Sequence, residues 1–321
     1  MYFHLLFDFV PRIKLNIDSG EKNLTPDTPL IRTVGVLGAG TMGRGIAQVA
    51  AAAGFNVILR DVDDKSLARG RQGIEHNLAK GVSLGKVSEE QRAQTLARIS
   101  TTAELADLAP AELIIEAVPE NLDLKQKLLR DFETFSSANC IWASNTSSLS
   151  ITEIAGAAAR PVQVVGMHFF NPAHLMRLVE IVVGEKTGES TIEAVRAVAR
   201  RMEKEPIVVR DVPGFASSRL GVTLGLEAMR MVEQGVASAR DIDTAMELGY
   251  NHPMGPLRLT DLVGLDVRLN IAEYLHGNLG SETFRPPEIL RRMVTQGKLG
   301  KKSGEGFYKW NEPEATQKAY T

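Results

Sequence analysis

Along the chain, short apolar runs that stop at small or polar residues alternate with longer segments of helical spacing. Thr33 to Leu37 (TVGVL) is the first such run; it meets a glycine cluster, and Met42 to Ala53 beyond it is alanine-rich with helical character. Asn56 to Arg60 (NVILR) is the second and ends at Asp61, so strand, turn, helix and strand fit the roughly thirty residues of a βαβ crossover. Further strands are predicted at Leu113 to Val118, Cys140 to Ala143, Val162 to Met167 and Leu178 to Val183, with helical patterns between most of them, and the alternation continues to about Val209. Such alternation predicts an α/β fold with a mostly parallel, Rossmann-like sheet. The charged stretch from Asp63 to Leu108, broken at GVSLGKVS, predicts a helical hairpin. After Asp211 the pattern changes: VPGF is a Pro-Gly breaker and the remainder reads as mostly helical, with turns at NHPMGP and HGNLGSE. The expected organisation is a poorly ordered extension over 1–30, an α/β domain over 31–212 and an all-helical domain over 213–321.

Composition narrows the partners. The 321 residues carry a formal net charge of −2, so no basic footprint argues for nucleic acid and a small-molecule ligand is expected. The single cysteine, Cys140, leaves no internal disulfide framework and fits a reducing compartment; it reads as a core residue. The opening MYFHLLFDFV lacks the basic start and cleavage site of a secretory signal and the arginines of a transit peptide. No apolar run reaches the roughly 20 residues that span a bilayer. A cytoplasmic protein with no membrane partner is expected.

Four constellations carry candidate chemistry. Gly38, Gly40 and Gly43 in GAGTMG follow a strand and open a helix. There the first glycine permits a tight turn, the second lets a pyrophosphate approach the backbone, and the third allows close helix packing. Asp61, at the end of the second strand, is placed to accept hydrogen bonds from an adenosine ribose and to repel a 2′-phosphate, which favours NAD over NADP; the neighbouring Arg60 reads as a strand-end side chain directed to solvent. His168 has Glu180 twelve residues later on the next strand. A neutral imidazole backed by a carboxylate suits removal of a hydroxyl proton, although a core histidine and a solvated glutamate have the same spacing. SNTSS (Ser144 to Ser148) and Glu120 with Asn121 in VPEN follow strands, where open α/β sheets bind ligands; helix starts are the alternative for both. No metal-ligand spacing joins His168 to His4, His76, His174, His252 or His276, so no metal is expected.

Taken in order, GAGTMGRGIA, EAVPENLDLK, SNTSS, MHFFNPAHLMRLVEI, DVPGF, NHPMGP and GKKSGEGFY closely resemble the 3-hydroxyacyl-CoA dehydrogenase family, from about Thr33 to Trp310. The resemblance implies a Rossmann-like NAD-binding domain, a helical domain forming much of a homodimer interface, and NAD-dependent interconversion of an (S)-3-hydroxyacyl-CoA and its 3-ketoacyl-CoA. A short-chain substrate of the 3-hydroxybutyryl-CoA type is expected. It further implies His168 as base and Glu180 as its orienting carboxylate, Ser147 at both substrate and nicotinamide, and Glu120, Lys125, Asn171 and Lys302 at the cofactor. Two positions depart from the family. PGFxxNR here reads PGFASSR, which puts Ser218 where an asparagine lines the site, and a hydroxyl offers one donor where the amide offers two. The usual lysine pair of the hairpin is missing, leaving Lys80 and Lys86 as candidates for coenzyme A. Those departures suit a rival on the same fold, a dehydrogenase of a free acid such as gulonate; a second rival is a non-catalytic, crystallin-like NAD-binding protein, against which retention of His168 and Glu180 argues.

Overall fold

The computed structural model describes residues 31–310, so the expected extension and His4 lie outside the described residues. From Ile31 onward the chain forms one compact unit. Its first part alternates β1 (Thr33–Leu37), α1 (Thr41–Ala52), β2 (Asn56–Arg60), α2 (Asp64–Ser83), α3 (Glu89–Ala97), β3 (Ile99–Thr102), β4 (Leu113–Glu116), α4 (Leu122–Glu133), β5 (Ile141–Ser144), α5 (Ile151–Ala155), β6 (Val164–Phe169), β7 (Leu178–Val183), α6 (Glu189–Arg201) and β8 (Glu205–Arg210). The eight strands form one sheet in the order β3-β2-β1-β4-β5-β6-β7-β8. Every pairing is parallel except β6 with β7.

Both faces of this sheet are covered, which is why its central strands read as unbroken apolar runs. In β4, Leu113 and Ile115 join the core beneath α1 and α6, while Ile114 joins the opposite core with Leu129 and Phe132 of α4 and Ile154 of α5. Cys140 lies in the second core, and burial pushes its thiol up to about 12, so it stays protonated and inert. The predicted hairpin is present as α2 and α3, broken where expected. Its span also contains β3, whose sequence ISTT carries too little apolar signal to read as a strand and which pairs at the sheet edge through β2 alone.

The second part is helical: α7 (Ser217–Glu233), α8 (Ala239–Gly249), α9 (Pro256–Val263), α10 (Leu265–Leu279) and α11 (Glu288–Thr295). It has its own core, with Leu226 and Met229 of α7, Leu257 of α9, Leu275 of α10 and Leu290 of α11 among its buried members. The carboxylates of Asp243 and Asp261 are buried here. Asp261 accepts the amides of Phe307 and Tyr308 and the Trp310 indole N–H at 2.8–2.9 Å, fastening the end of the described chain to α9. Burial pushes Asp261 up to about 6 despite those hydrogen bonds.

At the β1–α1 turn the glycines have separate physical reasons. Gly38 has φ +96°, and a Cβ there would meet the Ala117 carbonyl oxygen at 2.7 Å; a Cβ on Gly43 would fall 1.7 Å from the Gly38 carbonyl oxygen. Gly43→Ala is therefore expected to cost about 2–3 kcal/mol by overpacking. In a thermal melt that is a fall in Tm of roughly 5–10 °C; an unchanged melting curve would mean that the turn and α1 separate freely.

Candidate active site

His168 and Glu180 are brought together by the one antiparallel pairing in the sheet. β6 and β7 run in opposite directions with His168 directly opposite Glu180, so the twelve-residue separation becomes a cross-strand pair. His168 Nδ1 lies 2.8 Å from Glu180 Oε2. The imidazole is 7% exposed and rests between the rings of Phe170 and Phe215, with centroids 4.6 and 5.9 Å away. With Nδ1 engaged by a carboxylate, Nε2 is left as the nitrogen without a hydrogen-bond partner among the described residues.

Glu180 is completely buried, and an isolated carboxylate there would be strongly unfavourable. The amino end of α7 supplies the missing donors. Ser217 N and Ala216 N donate to Oε1 at 2.8 and 3.2 Å, and Ser217 Oγ donates to Oε2 at 2.8 Å. Burial pushes the Glu180 carboxyl up; the hydrogen bonds from His168 and from the Ser217 amide and hydroxyl, with the His168 charge, outweigh it and hold the group below its ordinary value. Sequence reasoning singled out Ser218 and missed Ser217. Ser218 stands beside it, half-buried and with no hydrogen bond among the described residues. The legible signal for Ser217 was a hydroxyl two positions after the PGF turn, at the start of a helix, where Gly214 and Phe215 take φ of +77° and +48°.

A second buried charge holds the neighbouring loops. Glu116, at the end of β4, takes the Lys125 ammonium at 2.6 Å and the Val118 amide at 2.8 Å on Oε1 and Ser144 Oγ at 2.6 Å on Oε2. Lys125 also pairs with Glu120 at 3.3 Å. Glu120 Oε1 in turn accepts Thr146 Oγ1 at 2.6 Å and the Ser147 amide at 3.0 Å. Burial raises the Glu120 carboxyl, but the Lys125 charge and the Thr146 and Ser147 hydrogen bonds leave it below its ordinary value. The helix-start reading of VPEN holds for Asn121, which caps α4, while Glu120 organises the SNTSS loop; Ser150, beyond that loop, caps α5. Glu116 was missed, although a carboxylate inside an apolar strand is itself a sign of a buried, paired charge. Lys204 was also missed; its ammonium donates to the carbonyls of Ala173 and Met176 at 2.6 and 2.9 Å and pins the loop that follows His168.

On the same side of the sheet, a Cβ on Gly40 would meet nothing within 4 Å. The protein itself therefore does not require glycine at Gly40, but close approach of a ligand would. No side chain caps α1 and no acidic residue sits in its first turn, so its free amides face that space. Asp61 accepts the Ala39 amide at 2.6 Å, which fixes the carboxylate across from the turn. Arg60 is not directed to solvent as its strand-end position suggested; its Nε donates to the Ala103 carbonyl at 3.1 Å. This cradle fits a dinucleotide.

Two family models match, 3-hydroxyacyl-CoA dehydrogenase NAD binding domain over residues 33–212 and 3-hydroxyacyl-CoA dehydrogenase C-terminal domain over 214–310. A probable 3-hydroxybutyryl-CoA dehydrogenase of Deinococcus radiodurans is 46% identical over 276 residues, covering 86% of this chain and 99% of its own. Its Bacillus subtilis counterpart is 44% identical over 282 residues, covering 88% and 98%. Among solved structures, (S)-3-hydroxybutyryl-CoA dehydrogenase from Ralstonia eutropha aligns with a TM-score of 0.84 at 42% identity, covering 86% of this chain and 98% of its own. The chain belongs to the 3-hydroxyacyl-CoA dehydrogenase family. Its sheet domain is the NAD-binding domain of that family, and NAD is the cofactor the glycine cradle and Asp61 accommodate.

Within this 3-hydroxyacyl-CoA dehydrogenase fold the remaining expected site residues are placed unequally. Ser147 sits on the SNTSS loop against Glu120, and Asn171 is exposed just beyond His168. Lys125 is corrected: its ammonium is buried between Glu116 and Glu120, so it braces Glu120 and does not face open space. Lys302 binds Asp266 at the start of α10, and no contact joins it to the glycine turn or to Ser147. Lys80 and Lys86, on α2 and in the following turn, are exposed and make no ion pair among the described residues. Among the described residues no cluster of three or more ligand side chains is placed to hold a metal, and no helix is long and apolar enough to cross a membrane.

The depressed Glu180 carboxyl has a definite pH signature. Because its folded value lies below the ordinary 4.5, the carboxylate's contribution is fully present above about 4.5 and is lost as pH falls through the lower folded value. Glu180→Gln is expected to be less stable than wild type by about 1–3 kcal/mol at pH 7. In denaturant titrations the gap should narrow below pH 4.5; a gap independent of pH would mean that Glu180 is not ionised in the fold.

Proposed function

We propose that this protein interconverts an (S)-3-hydroxyacyl-CoA and the corresponding 3-ketoacyl-CoA with NAD, on short acyl chains of the 3-hydroxybutyryl type, with His168 as the base. The observation that carries this reading is the 2.8 Å contact between His168 Nδ1 and Glu180, which leaves Nε2 as the free nitrogen. In the oxidation direction Nε2 takes the proton of the 3-hydroxyl, and the Glu180 carboxylate fixes the tautomer and stabilises the imidazolium without itself taking the proton. Bound NAD supplies the hydride acceptor. Ser147 positions the substrate oxygen, and Ser218 lines the site with a shorter reach than an amide would have. The short-chain assignment is supported by relatives named 3-hydroxybutyryl-CoA dehydrogenase at 40–46% identity.

The helical domain pairs with a second copy in this reading. Large apolar side chains crowd residues 248–263, where Leu248 and Tyr250 are 83% and 76% exposed and Leu259, Leu262 and Val263 are also exposed. Surface of this kind marks an association site.

Two experiments test the proposal. NADH oxidation with acetoacetyl-CoA should be thioester-dependent, absent with free acetoacetate, and about 10²–10⁴-fold slower in His168→Ala, the span of a lost general acid–base; turnover unaffected by that change would remove His168 from the chemistry. Light scattering should give twice the 35.0 kDa chain mass, falling to the monomer in Leu248→Glu/Tyr250→Glu; a monomeric wild type would end the dimer assignment.

A further inference from the structure

Four donors converge on the Glu180 carboxylate, and a carboxylate has about four lone-pair sites to offer. His168 Nδ1 and Ser217 Oγ both meet Oε2 at 2.8 Å, while the Ser217 and Ala216 amides meet Oε1 at 2.8 and 3.2 Å. Ser217 therefore supplies two of the four, and its hydroxyl shares an oxygen with the imidazole. The amides come with the opening of any helix; the hydroxyl depends on serine. Ser217 stands at a position that the pattern PGFxxNR leaves open, so this hydrogen bond belongs to the chain and not to the motif.

The charge that faces Glu180 is that of His168 on β6. On its other side β8 sets Ile207 opposite it. Phe170 and Phe215 cover the imidazole, and the opening of α7 brings Ala216, Ser217 and Ser218. The nearest charges along the chain are engaged elsewhere: Asp211 accepts Ser150 Oγ and the Thr152 amide, and the Arg219 guanidinium lies over the Phe284 ring. A donor that stabilises the carboxylate leaves less of its negative charge for the imidazolium, and the two groups titrate as a pair. With its lone-pair sites engaged, the carboxylate also offers no free position for a proton, which keeps a transferred proton on the imidazole.

We propose that Ser217 is a positioning residue of the dehydrogenase reaction, whose hydroxyl draws charge from the Glu180 oxygen that supports His168, so that the dyad releases its proton at lower pH than it would without that bond. This rests on the dehydrogenase reading above and deepens it. In oxidation Nε2 must be free to take the proton of the 3-hydroxyl; in reduction it must carry the proton that it gives to the keto oxygen. The Ser217 hydroxyl thus extends oxidation toward lower pH and curtails reduction at higher pH. It acts through Glu180 and touches neither substrate nor cofactor in doing so.

The test is the pH dependence of kcat/KM for NADH oxidation with acetoacetyl-CoA in wild type, Ser217→Ala, Ser217→Thr and Ser217→Cys. In this direction activity falls on the alkaline side, as the dyad loses its proton. Ser217→Ala is expected to move that fall upward by about half to one pH unit, the scale of one hydrogen bond to a carboxylate. On the alkaline limb it should then keep about 3–10-fold more of its own low-pH activity than wild type does. Ser217→Thr retains the hydroxyl and should titrate as wild type. Ser217→Cys, a weaker donor, should move in the alanine direction by less, and it carries the test if the alanine variant fails to fold. A rate reduced equally at every pH, with the midpoint unmoved in the alanine and cysteine variants, would overturn the inference and leave the dehydrogenase reading intact. So would a threonine variant displaced as far as alanine. Absence of turnover in folded, NADH-binding wild type overturns both.

Discussion

The fully buried Glu180 carboxylate is the constraint on which the site depends. Removing such a charge from solvent costs several kcal/mol unless donors surround it, and the donors come from two places in the chain: the imidazole of β6, and the Ser217 hydroxyl with the amides that open α7. Satisfying this one carboxylate therefore joins the one antiparallel pair of the sheet to the first helix of the helical domain. It also orients His168, because an imidazole that gives Nδ1 to a carboxylate must present Nε2 on its other side. The orientation of His168 and the attachment of the two domains arise from the same hydrogen bonds.

The same device recurs on β4, two strands from His168. Glu116 and Lys125 are buried as a pair, and with Ser144 and the Val118 amide they leave few polar groups unsatisfied. Buried pairs of this kind add little net stability; here the pair supports the loops that carry Glu120 and Ser147. In the helical domain Asp261 does the equivalent for the end of the described chain. Arg268 is the contrasting case, a buried cation whose Nε has no hydrogen-bond partner among the described residues.

The residues differ in how plainly they announce themselves. The glycine turn was readable because each glycine answers a local steric demand within a strand–turn–helix unit, and Gly38 and Gly43 meet that demand with backbone clashes that no other residue avoids. His168 and Glu180 were readable only as a spacing, equally compatible with a core histidine and a surface glutamate. β3 was not readable, since an edge strand with one neighbour needs little apolar character. Lys125 was misplaced for a related reason. Its position in EAVPENLDLK places it near the cofactor, but a lysine's four-carbon stem lets the ammonium turn inward to Glu116, and no pattern of neighbours in sequence reports that choice.

The amino-acid sequence by itself settled the alternation of strand and helix, the change to an all-helical segment after Asp211, and the dinucleotide turn, because these follow from residue periodicity and local backbone sterics acting over a few residues. Tertiary structure alone decided that β7 reverses direction and sets Glu180 opposite His168, and that Ser217 rather than Ser218 completes the carboxylate's shell. These depend on which side chains remain after every buried polar group has competed for a partner, and that competition is resolved across the whole fold.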